Sequence, residues 1–209
     1  FLNSYFRERG VRILDGQLVK SISPDDDGVS LHTDRGETLR VDGVAAGLGI
    51  RPNIGLALAA GLETGNGIIV DRFLRTSGTD IYAAGDVANF YNPILDQRMR
   101  AEHEENANLG GQIAGQNMTG EQLIYEHLPA VYSTLFDLSY DAVGEMDPGM
   151  EIIYDWQEPL RKGVAYYLKQ GRVRGVLLWN LSHGLETARQ IIAAPGPFDA
   201  GSLSGIIRG

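Results

Sequence analysis

The alternation of apolar and polar positions changes texture along the chain. Leu2, Tyr5 and Phe6 recur at helical spacing, which predicts a helix from Leu2 to Arg9 stopped by Gly10. Val11 to Leu14 alternates around Arg12 and predicts a strand, and Val19 to Ile22 predicts a second. Asp25-Asp26-Asp27-Gly28 and Asp34-Arg35-Gly36-Glu37 carry turn chemistry. Between them Val29 to Thr33 alternates as a half-exposed antiparallel strand does, and Thr38 to Val41 is expected to pair back. Val44 to Gly49 is uniformly small and apolar, the texture of a buried crossover strand. Leu56 to Ala60 predicts a short helix ended by Gly61.

The stretch from Thr76 to Asp86 organises the middle of the chain. Ile81-Tyr82-Ala83-Ala84 is a short apolar run between a glycine-containing turn and Gly85-Asp86, the pattern of a buried strand in a parallel sheet. Gly85 lets the backbone approach a neighbour closely. Asp86 is expected at the carboxyl end of that strand, the edge where open α/β sheets bind ligands. A carboxylate there can accept hydrogen bonds from a polyol; the same residue can also simply cap a turn or helix after it.

Met99 to Met118 has the strongest helical composition, with no internal proline. Ala107, Gly111 and Gly115 share one face, and each helical glycine costs about 1 kcal/mol relative to alanine, so a tertiary contact is expected there. The helix opens on Arg100-Ala101-Glu102-His103-Glu104. Its amino end offers unpaired N–H groups and partial positive charge. The acidic residues complement that dipole by themselves, so a stabilising role and a binding role both stand.

From Leu128 onward short strands dominate. Ala142 to Met146, Ile152 to Tyr154, Val164 to Leu168 and Val173 to Trp179 read as strands, the last two joined by a Gln170-Gly171 turn. Leu185 to Ile192 is an amphipathic helix ended before Pro195. The expected fold is a partial α/β unit followed by an α+β domain.

The chain carries 27 Asp plus Glu against 18 Lys plus Arg, a net charge of −9. That balance disfavours nucleic acid and anionic membrane surfaces as partners. There is no cysteine, so no dithiol centre or thiolate metal site lies in this chain. The Asp25-Asp26-Asp27 turn lacks the further ligands of a calcium loop, and His103-Glu104 lacks zinc spacing, so no metal is expected. His32 falls on the polar phase of its strand and reads as solvated. After Gly47-Leu48-Gly49 the third glycine is out of register for a dinucleotide fingerprint.

Thr76 to Asp86, with its lead-in Gly67-Ile68-Ile69-Val70-Asp71 and Leu74-Arg75-Thr76-Ser77, resembles the second flavin fingerprint of the FAD-dependent pyridine-nucleotide oxidoreductases. Arg100-Ala101-Glu102-His103, then Gly110-Gly111-Gln112-Ile113-Ala114-Gly115 through Gly120, is similar to the apoptosis-inducing-factor-like branch. Gly163 to Leu168, Gly175 to Asn180 and Ala188-Arg189 resemble the C-terminal domain of the apoptosis-inducing-factor and ferredoxin-reductase family. The likeness covers essentially the whole chain and is weakest before residue 40.

The resemblance implies FAD as cofactor and NAD(P)H as hydride donor. Gly85 and Asp86 are then expected at the ribityl chain. His103 and Glu104 are expected beside the isoalloxazine, Glu102 and His103 near nicotinamide, and Tyr132 where a family aromatic stacks, with Tyr in place of Trp. Arg51, in Gly49-Ile50-Arg51-Pro52-Asn53, is an expected NAD(P)H contact or an exposed loop charge. Trp179 reads as core.

Residues 1–50 are expected to be a remnant of the NAD(P)-binding domain, 51–127 the C-terminal part of the FAD-binding domain, and 128–209 an interface domain able to form a homodimer. Opening on a helix end at Phe1, the chain is expected to be the C-terminal part of a longer cytoplasmic flavoprotein passing electrons to an unnamed redox acceptor. No residue here is needed as a nucleophile, and the piece alone is expected to be inactive. The other reading is a non-catalytic dimerisation or partner-docking module.

Overall fold

The computed structural model describes residues 1–208. The chain divides into two compact units, Phe1–Arg51 and Pro52–Gly209.

In the first unit, α1 (Leu2–Glu8) closes at Arg9 and Gly10, as its pattern predicts. β1 (Val19–Asp25), β2 (Gly28–Thr33) and β3 (Thr38–Val41) form an antiparallel three-stranded sheet. The Asp26-Asp27 turn joins the first pair, with Asp25 opposite Gly28. His32 is held in the sheet by Ser23 and Thr38 hydroxyls. Two expectations fail here. Val11 to Leu14 forms no strand, and Val44 to Gly49 is irregular and exposed, Leu48 almost completely so. Among the described residues neither segment has a strand beside it to take its backbone hydrogen bonds.

The second unit begins with α2 (Gly55–Ala59), ended by Gly61 as expected. A four-stranded sheet comes next, built from β4 (Thr64–Gly65), β5 (Gly67–Ile69), β6 (Ala88–Asn92) and β7 (Gln97–Met99). Only β5 and β6 run parallel. Ile81 to Ala84 is not the buried parallel strand its texture predicts. It folds back on Leu74 to Thr76 through one antiparallel bridge, with Thr76 N–H donating to the Ile81 carbonyl and Ala83 N–H to that of Leu74. Ala83 is buried, but Ile81 is 42% exposed.

Helix α3 (Glu104–Met118) starts later than its composition suggests, because Met99 is already paired with Phe90 in the sheet. Arg100 to Glu102 remain outside the helix, and His103 is an extended N-cap. The buried face is also rotated from the expected one. Asn106, Gly110, Ala114 and Asn117 face inward, while the space beside Gly111 and Gly115 is open. Two buried asparagines fix that rotation. Asn106 Nδ2 donates to the Ala101 carbonyl, and Tyr125 Oη donates to Asn106 Oδ1 at 2.6 Å. Asn117 Nδ2 donates to the carbonyls of Phe73 and Leu123, both at 2.9 Å, and its Oδ1 accepts from Leu123 N–H at 2.7 Å.

The C-terminal part is an antiparallel sheet of β8 (Ala130–Leu135), β9 (Leu138–Gly144), β10 (Glu151–Glu158), β11 (Lys162–Lys169) and β12 (Arg172–Trp179), ordered β10-β11-β12-β9-β8. α4 (Leu185–Ala193) lies on it, followed by α5 (Ala200–Leu203). Val164, Tyr166, Val176 and Leu178 pack against Ala188 and Ile192 of α4. Leu95, from the β6–β7 turn, joins the same core, and Arg174 donates to its carbonyl. Trp179 is core, as expected, its indole N–H donating to the Leu160 carbonyl at 3.1 Å. Among the described residues no helix is long and apolar enough to cross a membrane.

Asn117→Ala should be costly. It strands two carbonyls and an N–H in a partly buried site, a loss of about 2 kcal/mol. Urea unfolding of the variant should show a lowered midpoint with little change in slope; a loss below about 1 kcal/mol would refute the accounting.

Candidate functional site

Gly85 to Val87 form one 3-10 turn directly after the Ile81–Ala84 segment. Gly85 has φ +71°, a left-handed geometry that glycine adopts without strain. The first turns of α3 lie against it: a Cβ on Gly85 would sit 3.5 Å from Ala107 Cβ, and one on Gly110 would sit 3.7 Å from Gly85 N. Gly67 brings β5 up from the other side, where any Cβ would collide with the Val87 carbonyl. The turn is thus clamped between a strand and a helix, and only small residues fit the clamp.

Asp86 projects from this turn with its side chain exposed and no hydrogen-bond or ion-pair partner among the described residues. Its main chain is held by Arg100, whose Nη1 donates to the Asp86 carbonyl at 2.8 Å. The same guanidinium reaches Asn66 Oδ1 and pairs with Glu102, and its side chain is only 8% exposed. Arg100 therefore couples the Asp86 turn to the segment leading into α3. Its sequence signal is only the Arg-Ala-Glu-His string, which gives no hint of that role.

His103 is the N-cap of α3, and its side chain caps nothing. The amino end of the helix therefore has no side-chain acceptor from its own N-cap, and it keeps the partial positive charge of a helix start. The His103 ring lies edge-on to Tyr132 on β8, centroids 4.6 Å apart and planes at 78°. His103 Nδ1 is buried with no hydrogen-bond partner among the described residues, while Tyr132 is 60% exposed. Glu104 is exposed in the first helical turn. Gly85, Asp86, Glu102, His103, Glu104 and Tyr132 are thus linked through the Asp86 turn, the amino end of α3 and β8. Arg51 belongs to the first unit, where it is exposed at the last position.

Glu105 is the residue that sequence reasoning missed. Its carboxylate accepts from Arg189 Nη2 of α4 at 2.7 and 3.0 Å and from the Ala130 N–H of β8 at 3.2 Å. His127 Nε2 lies 3.3 Å from it. Partial burial pushes the Glu105 carboxyl up. The hydrogen bonds from Arg189 and Ala130, with the charges of Arg189 and His127, outweigh that and leave it below the usual carboxylate range. These partners are distant in sequence, and nothing in local pattern marks them.

The group offers an acceptor carboxylate, an uncapped helix end, a buried unpaired imidazole nitrogen and an exposed aromatic. That donor and acceptor set fits a planar, partly anionic cofactor with a polyol tail. It provides no nucleophile, and among the described residues no cluster of His, Asp or Glu is placed to hold a metal ion.

Comparison with known proteins agrees with this chemistry. Residues 1–109 match the family model described as pyridine nucleotide-disulphide oxidoreductase, and residues 150–194 match the apoptosis-inducing factor, mitochondrion-associated, C-terminal model. The chain is 34% identical over 188 residues to monodehydroascorbate reductase 3 of Arabidopsis thaliana, covering 85% of the chain and 42% of that protein. It is 32% identical over 189 residues to the ferredoxin–NAD(+) reductase component of the anthranilate 1,2-dioxygenase system of Burkholderia cepacia, covering 90% of the chain and 46% of that protein. The structure of the covalent putidaredoxin reductase–putidaredoxin complex superposes with a TM-score of 0.84 at 29% identity, covering 98% of this chain and 50% of that one. The chain therefore spans less than half the length of these curated relatives.

A depressed carboxyl pKa stabilises the fold above its unfolded value, here about 4.5, and that contribution is lost as pH falls through the lower folded value. Wild type should therefore lose its stability advantage over Glu105→Gln as pH is lowered from 6 to below about 4. Thermal or urea unfolding across that range reads the difference; a pH-independent gap would show that the carboxylate charge is not what Arg189 holds.

Proposed function

The chain belongs to the pyridine nucleotide-disulphide oxidoreductase family, and from that premise we propose that it forms the flavin-facing C-terminal part of an FAD-dependent NAD(P)H oxidoreductase. Family members bind FAD and use NAD(P)H. When bound, the flavin supplies the redox chemistry, accepting hydride from NAD(P)H and passing electrons to an acceptor.

The residues of the site hold and orient. Asp86 accepts hydrogen bonds from the ribityl hydroxyls, at a turn whose backbone is fixed by Arg100. The amino end of α3 directs N–H groups and partial positive charge at the pyrimidine edge, where reduction adds negative charge. His103 and Tyr132 form a wall on the nicotinamide side, with the unpaired Nδ1 available to a polar atom of cofactor or substrate. In this reading Arg51 contacts NAD(P)H, Glu104 lies beside the isoalloxazine and Glu102 near nicotinamide. Residues 1–50 correspond in this reading to the NAD(P)-binding domain, 51–127 to the FAD-binding domain and 128–209 to an interface domain that can support a homodimer.

The observation that supports the reading is the seating of Gly85, next to Asp86, against Ala107 and Gly110 in the first turns of α3. Hydrogen bonds to a charged group are worth about 1.5–3 kcal/mol, so Asp86→Ala in the full-length protein should weaken FAD retention by about tenfold or more. Flavin absorbance per mole of purified protein is the measurement, and unchanged occupancy would remove Asp86 from the site. The chain of residues 1–209 by itself should bind FAD weakly; a stoichiometric flavin spectrum would contradict that expectation.

A further inference from the structure

The first turn of α3 has an electrostatic problem. It carries Glu104 and Glu105, and Glu102 precedes it. Carboxylates at a helix start cancel the positive end of the dipole, which the flavin reading needs for an anionic reduced ring. Glu102 is matched by Arg100. Glu105 is matched by Arg189, which comes from α4, 84 residues away in sequence.

The Arg189 contact does more than neutralise. One nitrogen, Nη2, bonds both Glu105 oxygens, while Nε donates to the Leu128 carbonyl at 3.1 Å. Glu105 itself accepts from Ala130 N–H, the first residue of β8. Arg189, Glu105, Ala130 and Leu128 thus close a ring of hydrogen bonds between α4, the start of α3 and the start of β8. Tyr132 lies two residues further along β8, and its partner His103 lies two residues before Glu105. Guanidinium and carboxylate side chains are 20% and 38% exposed, so the pair is only partly screened by solvent.

We propose that Arg189 is a positioning residue for the flavin site: it offsets the Glu105 charge at the amino end of α3, and it fixes β8 so that Tyr132 stays against His103. The proposal rests on the flavin reading of the Asp86 turn and the α3 amino end. It makes helix α4 of the C-terminal sheet a determinant of flavin potential without touching the cofactor.

Reductive titration of the full-length, FAD-loaded protein tests the charge argument. Arg189→Gln uncovers the Glu105 charge and should lower the potential, shifting the reduced-to-oxidised ratio at fixed poise about tenfold, roughly 30 mV for a two-electron couple. Glu105→Gln removes the closer of the two carboxylates paired with Arg189, leaving only exposed Glu186 at 3.9 Å, and should raise it. The double variant should return near wild type, and Arg189→Lys, which keeps the charge, should stay close to it. Shifts of the same sign in the two single variants, or none in either while flavin remains bound, would overturn the proposal.

The flavin-free protein supplies a second readout. The ring-current shift of the His103 imidazole protons from Tyr132 should collapse in Arg189→Gln; its persistence in Arg189→Gln would refute the positioning role. A full-length wild-type protein that retains no flavin would instead overturn the flavin reading, and this proposal with it.

Discussion

The hydrogen-bonded ion pair between Glu105 and Arg189 is the tie on which the second unit's geometry depends. It joins a helix packed on the four-stranded sheet to a helix packed on the antiparallel one. Because Glu105 also receives the Ala130 N–H, the first strand of the C-terminal sheet is registered against α3 at the same point. Such a pair is weak evidence for net stability, since desolvation offsets the attraction. Its contribution is specificity of arrangement: breaking one side would leave a partly buried charge without its closest partner, so other placements of α4 relative to α3 are disfavoured.

A second guanidinium repeats the device on the opposite side of the site. Arg100, nearly buried, reaches the Asp86 carbonyl, the Asn66 side chain and Glu102. The two arginines bracket the amino end of α3 and match two of the acidic residues around it. The pairing offsets two of the three carboxylates at this helix end, leaving exposed Glu104 as the remaining negative charge. Net charge describes the whole surface and says little about this local balance, which only side-chain pairing sets.

The sequence disclosed the features that local physics controls. The hairpins of the first unit, the short α2, the strands from Ala142 to Trp179 and the amphipathic α4 arise from alternation, turn residues and helical spacing. Gly85-Asp86 and the Glu102-His103-Glu104 cluster stood out through family likeness, and the structure seats the Asp86 turn on the first turns of α3. The features that composition could not reveal were long-range. It placed the start of α3 too early because Met99 is a good helix former, whereas pairing with Phe90 commits it to the sheet. It chose Gly111 and Gly115 for the packed face, whereas two asparagine hydrogen-bond sets rotate Gly110 inward. Arg189 stood out only within the likeness of its helix to the family's C-terminal domain, and Glu105 looked like an ordinary helical charge.

Two of the failed strand expectations share one cause. Val44 to Gly49 and Ile81 to Ala84 carry the uniform apolarity of strands buried on both faces. Apolar texture reports that a segment is suited to burial, but a strand also needs a neighbour for its N–H and C=O groups. Among the described residues neither segment has a parallel one. The Ile81–Ala84 run satisfies part of its backbone locally, on Leu74 to Thr76, and so still delivers Gly85 and Asp86 to the amino end of α3. The Asp86 turn is held by α3, Gly67 and Arg100, and it leads directly into the parallel pair of β5 and β6.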